Sequence, residues 1–558
     1  MSLTGLAADR SPGCAAIDAP MAAPAAYDTE CDLLVLGYGA AGAATAMEAA
    51  ERGLDVMLAD RFSGGGASWL SGGIVYAGGG TKQQRQAGHD DTADAMADYL
   101  VREVGDAVSA ETVRRYCEDS AGMIAWLEAH GVVFDASEAP HETSYPSRDH
   151  YLYFSGNEKV PANLGHGKPA PRGHRPKGDW LSGRTMMEGM MAHVAATPGI
   201  TIRTESAVRR LIVDKDGAVV GAELMCLPPG AAITRLHRRL ERLARVMSLQ
   251  AMGISRRFVG LLTRIEARHA RPVLVRARRG VVLATGGFIK NRAMVERHAP
   301  EFVKGFALGS TGCDGSGIRL GLSLGGRLDR AGTISAWRFI NPPHAFAKGI
   351  VVDTAGRRLT NEEQYGARLG DAMMRRAGGR AYVIIDRAMR DAAKAEIAGG
   401  SMWGFQTFPA RYLLARPAAK AATIEQLAQR LGMAPAVLAE AVAANNAAAR
   451  GEAPDPVGKS DEMRGTIATG PFYALDISVG QPAFPLPVLT LGGLAVDERS
   501  GAVLREAGGI VPGLYAVGRA ARGLPSNFYV SGLSLGDCIW SGRRTAAFVA
   551  TSVAASAA

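Results

Sequence analysis

The chain has 558 residues, of which 47% are hydrophobic and 21% are charged, and its formal net charge is +9 at pH 7. This length allows two or more domains with sizeable cores, and the composition is that of a globular protein. The six cysteines are widely spaced with no C-x-x-C pair, which argues against a disulfide framework or a zinc site and fits a reducing cytoplasm. No apolar run reaches the roughly 18 residues expected of a membrane-spanning helix.

The N-terminal segment is rich in alanine and proline. Residues 1–28 carry Asp9 and Asp18 where a secretion signal would have a basic start followed by an apolar block. We therefore expect a disordered leader rather than a signal peptide.

The positive charge is concentrated in one segment. Between Ala231 and Gly280, thirteen arginines stand against two acidic residues, Glu241 and Glu266, so this segment alone exceeds the net charge of the whole chain. A basic protein is ordinarily a candidate for nucleic-acid binding. Because the rest of the chain is nearly neutral, nucleic acid is not an expected partner.

The stretch Asp32–Arg61 has the pattern of a dinucleotide-binding unit, with a strand, a glycine turn, a helix and a second strand. The turn fills the pattern G-x-G-x-x-G with Gly37, Gly39 and Gly42. These glycines allow the tight turn, the approach of a pyrophosphate to the backbone, and close packing of helix on strand. Asp60 ends the second strand, where a carboxylate would bind ribose hydroxyls.

The next segments predict the remainder of a nucleotide-binding domain. Gly64–Gln84 is too glycine-rich for a helix or a strand and would lie against a flat ligand such as a flavin. Two amphipathic helices are predicted over residues 90–130, and a third over Ser182–Ala195. Ile200–Val213 and Val219–Met225 are predicted strands that resume the sheet.

The polar segment Tyr145–Gly178 contains His150, His166 and His174. Their irregular spacing matches no metal site, and carboxylates are scarce nearby. We expect solvated loop histidines here and no bound metal.

Residues 231–271 form an arginine-rich insert with apolar residues at helical spacing. A basic amphipathic helix suits an anionic membrane surface, where arginines meet headgroups and bulky apolar side chains sink below them. The alternative is a helical hairpin that packs on its own domain or on a second subunit. Cytoplasmic localisation is expected, and the membrane interpretation adds a peripheral position at the inner face of the cell membrane.

The second half of the chain predicts an interrupted domain. The strand Val281–Phe288 ends in a glycine pair. Residues 309–485 differ from the preceding segments and contain short predicted strands and two predicted helices. Residues 486–558 again have the strand and glycine-started helix of a nucleotide-binding domain. We therefore predict an α/β fold: a Rossmann-like FAD-binding domain (residues 29–308 and 486–558) with an inserted α+β catalytic cap domain (residues 309–485).

The sequences GYGAAG, SGGIVYAGGGTKQQ, ATGGF, GCDGSGIRLG, NEEQYGARLGDAM, TLGGLAVDERSGAVL and FYVSGLSLGDCIWSGRR occur in the order found in the fumarate reductase/3-ketosteroid dehydrogenase flavoproteins, which the chain resembles over about residues 30 to 550. The resemblance implies FAD held without a covalent link, because SWLSGG lacks the attachment histidine. By this resemblance the FAD-binding residues are Gly37, Gly39, Ala40, Ala41, Gly42, Asp60, Arg61, Ala67, Ser68, Ser71, Gly72, Gly73, Val208, Thr285, Gly286, Gly518, Arg519, Ser534 and Leu535.

The chain departs from the carboxylate-reducing members at three cationic positions. It has Leu489–Gly492 where they have His-Thr-Met-Gly, Phe528-Tyr529 where they have Asn-Arg, and Tyr365 where they have an arginine. Without those charges the desolvation of a fumarate-like dianion would be uncompensated. We therefore expect a substrate that is neutral at its reacting end.

The loop Tyr529–Ser534 resembles the Tyr-x-Ser-Gly of the Δ4-(5α)-3-ketosteroid dehydrogenases. The resemblance implies that Tyr529 and the Gly532 N–H bind the C3 carbonyl, and that Ser531, helped by Tyr365, takes the C4 proton while a hydride leaves C5 for the flavin. Which hydroxyl accepts the proton stays open, because an unassisted serine is a poor base.

Alternative functions also stay open. They are a 3-ketosteroid Δ1-dehydrogenase, a flavin-dependent ene-reductase of the same superfamily and, outside enzymes, a membrane-binding protein on a vestigial flavin fold. A single dinucleotide fingerprint favours a quinone or another diffusible electron acceptor over a nicotinamide.

Overall fold

The computed structural model describes residues 11–178, 181–248 and 252–551. The strands are β1 (Met21–Ala22), β2 (Thr29–Leu36), β3 (Val56–Ala59), β4 (Val75–Tyr76), β5 (Leu152–Tyr153), β6 (Gly173–His174), β7 (Ile200–Arg203), β8 (Ser206–Val213), β9 (Val219–Cys226), β10 (Arg271–Leu283), β11 (Phe306–Ala307), β12 (Leu328–Asp329), β13 (Ile334–Ala336), β14 (Ile350–Val352), β15 (Tyr382–Ile385), β16 (Ala419–Ala421), β17 (Phe472–Asp476), β18 (Pro487–Thr490), β19 (Gly493–Leu494), β20 (Ala502–Leu504) and β21 (Ile510–Ala516).

The α-helices follow the same chain order. They are α1 (Ala40–Glu51), α2 (Gly66–Trp69), α3 (Lys82–Gln86), α4 (Ala93–Val104), α5 (Ala110–Ala129), α6 (Gly183–Ala196), α7 (Ala232–Met247), α8 (Met252–His269), α9 (Arg292–His298), α10 (Ser316–Ser323), α11 (His344–Lys348), α12 (Gly366–Arg376), α13 (Arg387–Ala398), α14 (Gly404–Ala415), α15 (Ile424–Leu431), α16 (Pro435–Ala449) and α17 (Leu533–Thr551).

A mixed sheet has four parallel strands at its centre, in the order β10, β2, β3 and β7. The long strand β10 also pairs antiparallel with β9, which forms a hairpin with β8, and its far end pairs parallel with β21. Leu34 and Leu36 of β2 join one core, while Leu33 and Val35 join another, because successive side chains of a strand point to opposite faces. Both faces of β2 are therefore covered, as expected for a central strand of a Rossmann-like domain.

The turn between β2 and α1 depends on a residue without a side chain at position 42. A Cβ placed on Gly42 would lie 1.8 Å from the carbonyl oxygen of Gly37, so no larger residue fits without moving the backbone. α1 therefore starts directly against the end of β2, and its free N–H groups open toward the space above the sheet.

A second sheet lies wholly within residues 309–485, the range predicted for the cap. Its strands are antiparallel in the order β14, β15, β17 and β16, and its residues share a core with helices such as α12, α13 and α15. An antiparallel sheet packed with helices is the α+β architecture expected from the sequence. The predicted α/β architecture, a Rossmann-like domain with an inserted α+β domain, is confirmed.

The expected disordered leader is wrong for residues 11–28. Cys14 and Ala15 are buried, and Ala15 donates its N–H to Oδ2 of Asp314 at 2.7 Å. β1 then adds an edge strand parallel to β8. Small alanines and prolines pack well in an extended segment, and backbone hydrogen bonds supply the attachment that composition did not indicate. Residues 1–10 lie outside the described part of the chain.

Two loop predictions also need correction. Gly64–Gln84 contains helices α2 and α3 and strand β4, with Thr81 and Gln84 forming a capping box at the start of α3. His174, expected to be solvated, is buried, with Nε2 2.9 Å from the Thr81 hydroxyl. Burial lowers the pKa of His174 to about 4, so it is neutral at pH 7. The pairing of β6 with β4 and β5 draws this polar segment into the interior.

The arginine-rich insert is a helical hairpin, as its periodicity predicts. α7 and α8 pack on each other and bury Ala244 and Leu262 against Phe62, which lies three residues after β3. The predicted alternative, packing on its own domain, thus describes the inner face of the hairpin. In the described part of the chain, no helix combines the length and the apolar character needed to span a bilayer.

Candidate active site

A cavity of about 460 Å³ extends from the glycine turn after β2 to the cap. Gly37 and Asp60 line it on the side of the parallel sheet, while Trp337, Tyr365 and Phe405 line it on the side of the cap. Such a cleft between a dinucleotide-binding sheet and a second domain is a common place for a cofactor and a substrate to meet.

Nearly all of the residues proposed from the sequence line this one cavity. They are Gly37, Gly39, Ala40, Ala41, Asp60, Arg61, Ala67, Ser68, Ser71, Gly72, Gly73, Val208, Thr285, Gly286, Tyr365, Arg519, Tyr529, Ser531, Gly532, Ser534 and Leu535. Gly42 and Gly518 are not among the lining residues. A Cβ on Gly518 would lie 2.9 Å from the side chains of Ala41 and Cys538, so both glycines serve close packing behind the wall.

The Asp60 carboxylate stands at the end of β3 with both oxygens already oriented. Oδ2 accepts the N–H of Tyr38 and Oδ1 accepts the N–H of Phe62, each at 2.7 Å. A carboxylate oxygen can accept a second hydrogen bond, so both oxygens keep capacity for ribose hydroxyls. Burial raises the pKa of Asp60, although its hydrogen bonds from the N–H groups of Tyr38 and Phe62 act in the opposite direction.

Arg61 is held by protein carboxylates. Nη1 lies 3.0 Å from Asp314, Nη2 lies 2.8 Å from Glu266 of the insert, and Nη2 also donates to the carbonyl of Gly13. A guanidinium so occupied shapes the cavity wall. Any contact of Arg61 with a cofactor would come from its stem or from its remaining N–H capacity.

The cavity suits a flavin dinucleotide. Two buried polar atoms on its lining, Oγ1 of Thr311 and Nε1 of Trp337, have no hydrogen-bond partner among the described residues. Buried polar groups are rarely left unpaired, so such atoms point to a ligand. The N-terminus of α1 and the Asp60 carboxylate supply the donors and acceptors that a pyrophosphate and a ribose require.

Four hydroxyl groups gather where the final loop meets the cap. Oγ of Ser531 lies 3.1 Å from the hydroxyl of Tyr153, and the Tyr365 hydroxyl is near enough for Ser531 to oppose slightly the rise that burial causes in the pKa of Tyr365. The rings of Tyr365 and Tyr529 stack with centroids 6.2 Å apart. Ser531 is therefore bracketed by two phenols, and Tyr529 stands beside them.

The surroundings of this hydroxyl cluster are apolar. Trp337 contacts the ring of Tyr529 edge-on at 4.9 Å, and Leu489 and Leu491 complete the same cluster of side chains. The two leucines occupy the positions of the carboxylate-reducing motif, so no imidazole stands there. A carbonyl fits this environment better than a carboxylate, because it brings no net charge to be desolvated.

Burial keeps the phenols in their neutral form. It raises the pKa of Tyr529 to about 12, although Arg519 works in the opposite direction, and it raises the pKa values of Tyr153 and Tyr365 well above the ordinary value near 10. At neutral pH each phenol is thus a hydrogen-bond donor. The N–H of Gly532 lies near the Tyr529 hydroxyl and lowers its pKa slightly, against the larger effect of burial.

Position 532 requires a glycine, apart from any role of its N–H group. Its φ of 90° lies in the region that favours glycine, and a Cβ there would be 2.7 Å from the Tyr76 nitrogen and from the Ile74 side chain. The carbonyl of Gly532 accepts the N–H of Tyr76 at 3.1 Å. This contact fixes the loop that carries Tyr529 and Ser531.

Sequence reasoning missed three contributors. Tyr153 lies on β5 in the segment interpreted as a polar loop, and only strand pairing brings it to Ser531. Glu241 and Arg245 belong to the insert, for which packing on its own domain was considered but a place in the cavity wall was not. A buried Tyr next to a serine loop 378 positions later leaves no local signal in one sequence.

A separate cluster lies away from the cavity. Glu51, His130 and His193 are close enough together to hold a metal ion. Nε2 of His130 pairs with Glu51, and its Nδ1 bonds the carbonyl of Trp126 at 2.5 Å. The cluster stands at the C-terminal end of α1, the end opposite the glycine turn, and so has no part in the cavity.

Comparison with known proteins identifies the family of this chain. A family model described as FAD binding domain matches residues 32–535. The chain is 43% identical over 494 residues to the 3-oxo-5-alpha-steroid 4-dehydrogenase of Comamonas testosteroni, covering 87% of this chain and 92% of that protein. It is 26% identical over 558 residues to the 3-oxosteroid 1-dehydrogenase of Mycobacterium tuberculosis (strain ATCC 25618 / H37Rv), covering 90% and 94%.

A solved structure has the same fold. The 3-ketosteroid-Δ4-(5α)-dehydrogenase from Rhodococcus jostii RHA1, in complex with 4-androstene-3,17-dione, superposes with a TM-score of 0.80 at 29% identity, covering 96% of this chain and all of that one. The chain therefore belongs to the FAD-binding flavoprotein family that includes the 3-oxosteroid dehydrogenases, and its cofactor is FAD.

Proposed function

We propose that this protein is an FAD-dependent 3-ketosteroid 4-dehydrogenase. It removes a proton from C4 and a hydride from C5 of a saturated 3-ketosteroid, and the product is the 4-ene-3-one, a step in steroid degradation. The observation that carries the proposal is the cluster of neutral hydroxyls around Ser531 within an apolar cleft. The activities named for the relatives from Comamonas and Rhodococcus support the same reaction.

FAD, when bound in the cavity, supplies the acceptor for the hydride. The chain's own part begins at the C3 carbonyl, which accepts hydrogen bonds from the hydroxyl of Tyr529 and the N–H of Gly532. These donors stabilise the negative charge that develops on the oxygen as C4 loses its proton. Because the site is buried and apolar, each bond is worth more than it would be in water.

Ser531 is the residue placed to receive the C4 proton. A serine hydroxyl is a weak base, but Oγ of Ser531 hydrogen-bonds the hydroxyl of Tyr153, and the hydroxyl of Tyr365 lies near it. As the proton arrives, Ser531 passes its own proton to the oxygen of a neighbouring phenol, and that phenol releases its own proton to water, so every hydroxyl of the relay is neutral again at the end of the step. The backbone carbonyl of Ser531 accepts the hydroxyl of Ser155 at 3.1 Å, which holds the loop in place.

Two alternatives remain distinguishable. A Δ1-dehydrogenase would remove hydrogens from C1 and C2, but the final loop here is Tyr529–Ser534 rather than the Tyr-Pro-Gly-Pro-Gly of that branch. An ene-reductase would run the chemistry in the opposite direction.

An anaerobic titration of the purified holoenzyme with 5α-androstane-3,17-dione tests all three possibilities. We expect bleaching of the oxidised flavin absorbance with formation of 4-androstene-3,17-dione. No bleaching by this steroid or its 5β epimer would contradict the proposed function, and a Δ1 product would favour the alternative. Quinone, or another diffusible carrier, is the proposed acceptor that restores the absorbance when added afterwards.

We also propose that the outer face of the insert contacts an anionic membrane surface. Leu236, Leu243, Val246, Ile254 and Leu261 are each more than 40% exposed on α7 and α8. Exposed arginines alternate with them, at positions 235, 239, 242, 257, 264 and 268. The only two acidic residues of the insert, Glu241 and Glu266, are directed inward, so the outer face combines apolar side chains with positive charge alone.

Vesicle co-sedimentation tests this surface. We expect binding to phosphatidylglycerol vesicles, little binding to phosphatidylcholine vesicles, and release at high salt. The variant Leu236→Ser/Leu243→Ser should lose most of the binding, whereas Phe408→Ser, at a 64% exposed phenylalanine on α14, should keep it. Unchanged binding of the double leucine variant would contradict the membrane role.

A further inference from the structure

The inner face of the insert carries charged residues that a simple membrane anchor would not need. Glu241, Arg245 and Glu266 are all buried or nearly so, and burying charge is unfavourable unless the charge has a partner or a purpose. Glu241 and Arg245, one helical turn apart on α7, line the cavity itself. The insert thus forms part of the wall at the Asp60 end.

Arg245 is held rigidly at this wall. Its Nε and Nη2 donate to the carboxylate of Glu241 at 2.9 and 3.0 Å, and Nη2 also donates to the hydroxyl of Ser63 at 3.2 Å. Among the described residues nothing accepts from Nη1, which leaves two N–H groups for a ligand. The guanidinium stands near the Asp60 carboxylate, and its charge offsets part of the rise that burial imposes on the pKa of Asp60.

The second helix of the insert fixes the neighbouring arginine. Glu266 of α8 pairs with Arg61, and although burial opposes ionisation, Arg61 holds the pKa of Glu266 down at about 2. Nε2 of His237 lies 3.3 Å from the same carboxylate. The pair therefore stays ionised at neutral pH and fastens α8 to the residue that directly follows Asp60.

We infer that the insert helps to bind the adenosine half of FAD, with Arg245 as a cofactor-binding residue. Ribose oxygens and adenine nitrogens accept hydrogen bonds, which matches the free donors of Nη1. Glu241 and Ser63 keep the guanidinium in place before the cofactor arrives, so little ordering is needed on binding. The inference rests on the proposed course of FAD, with its ribose at Asp60.

The test measures FAD release from the holoenzyme by the rise in flavin fluorescence on dilution. In the variant Glu241→Gln/Arg245→Met, which removes both charges together, we expect FAD affinity to fall about 10- to 100-fold. Arg264→Met, at an exposed arginine of α8, is the matched control and should stay within about twofold of the native protein.

A third variant covers loss of structure. Arg245→Lys keeps the charge and its pairing with Glu241 but loses the planar fork, and we expect a loss of FAD affinity smaller than in the double variant. Native FAD affinity in both Arg245 variants would contradict the inference that Arg245 binds FAD. Weak FAD binding in the double variant together with lost helicity, but native binding in Arg245→Lys, would also overturn it.

A fourth variant separates this inference from the function on which it rests. Asp60→Ala should weaken FAD binding if the ribose lies at Asp60. If Asp60→Ala kept native affinity, the proposed course of FAD would be wrong. If Asp60→Ala lost FAD affinity while both Arg245 variants kept it, only the inferred role of Arg245 in FAD binding would be wrong.

Discussion

Replacing Tyr529 by phenylalanine is expected to lower the rate of flavin reduction about 100- to 1000-fold, the usual cost of removing one donor from an oxyanion-stabilising site. The ring and its contact with Trp337 stay in place, so the cavity keeps its shape. Stopped-flow mixing of the anaerobic variant with 5α-androstane-3,17-dione measures this rate directly. FAD content should remain native, because Tyr529 is proposed to bind the substrate carbonyl.

The native protein provides a pH control for this result. Burial raises the pKa of Tyr529 to about 12, so the hydroxyl keeps its proton, and the donor its function, up to about pH 10. A rate that falls as a group with an ordinary phenol pKa ionises would contradict the role of Tyr529 as a buried donor. Native turnover by Tyr529→Phe would remove Tyr529 from the mechanism altogether.

Replacing Ser531 by alanine is expected to lower flavin reduction by about 100-fold or more, within the usual range for loss of a positioned proton acceptor. The substitution removes one oxygen from a residue that is 6% exposed and leaves the backbone contacts of the loop intact. The same stopped-flow experiment applies. A steroid carrying deuterium at C4 should show a larger isotope effect in the variant, since proton removal becomes slower than hydride transfer.

The two flanking phenols provide matched comparisons for Ser531. Tyr153→Phe and Tyr365→Phe each remove one partner of the serine and leave the other, so each should cost less than Ser531→Ala. The phenol whose loss costs more is the one that receives the serine's proton. If Ser531→Ala retained native rates while Tyr365→Phe did not, Tyr365 itself would be the proton acceptor.

The FAD-binding half of the site could be predicted because its chemistry is local. Gly37, Gly39 and Gly42 lie within one turn, so the backbone conformation that they permit can be predicted from a short stretch of sequence. The strand that ends at Asp60 follows within a single βαβ unit. The cavity lining near this unit contains most of the positions named from sequence.

The remainder depends on contacts between distant segments. Tyr153 reaches Ser531 only because β5 pairs with β6, and the two-residue strands that achieve this have no recognisable periodicity. Arg245 and Glu241 appear in sequence as part of an amphipathic pattern that also suits a membrane surface. Residues 11–28 looked disordered because alanine and proline give no periodic signal, although they bury Cys14 and extend the sheet.

The position of the final helix bears on how the protein is made. α17 packs against α1, and a Cβ on Gly542 would lie 2.6 Å from the carbonyl oxygen of Ala41, so the last helix seals the first dinucleotide-binding turn. Domains ordinarily fold from the N-terminus during synthesis. Here the first βαβ unit stays incompletely covered until residues 533–551 have also left the ribosome. A nascent chain that stops before Tyr529 therefore has a glycine turn but no enclosed place for the cofactor.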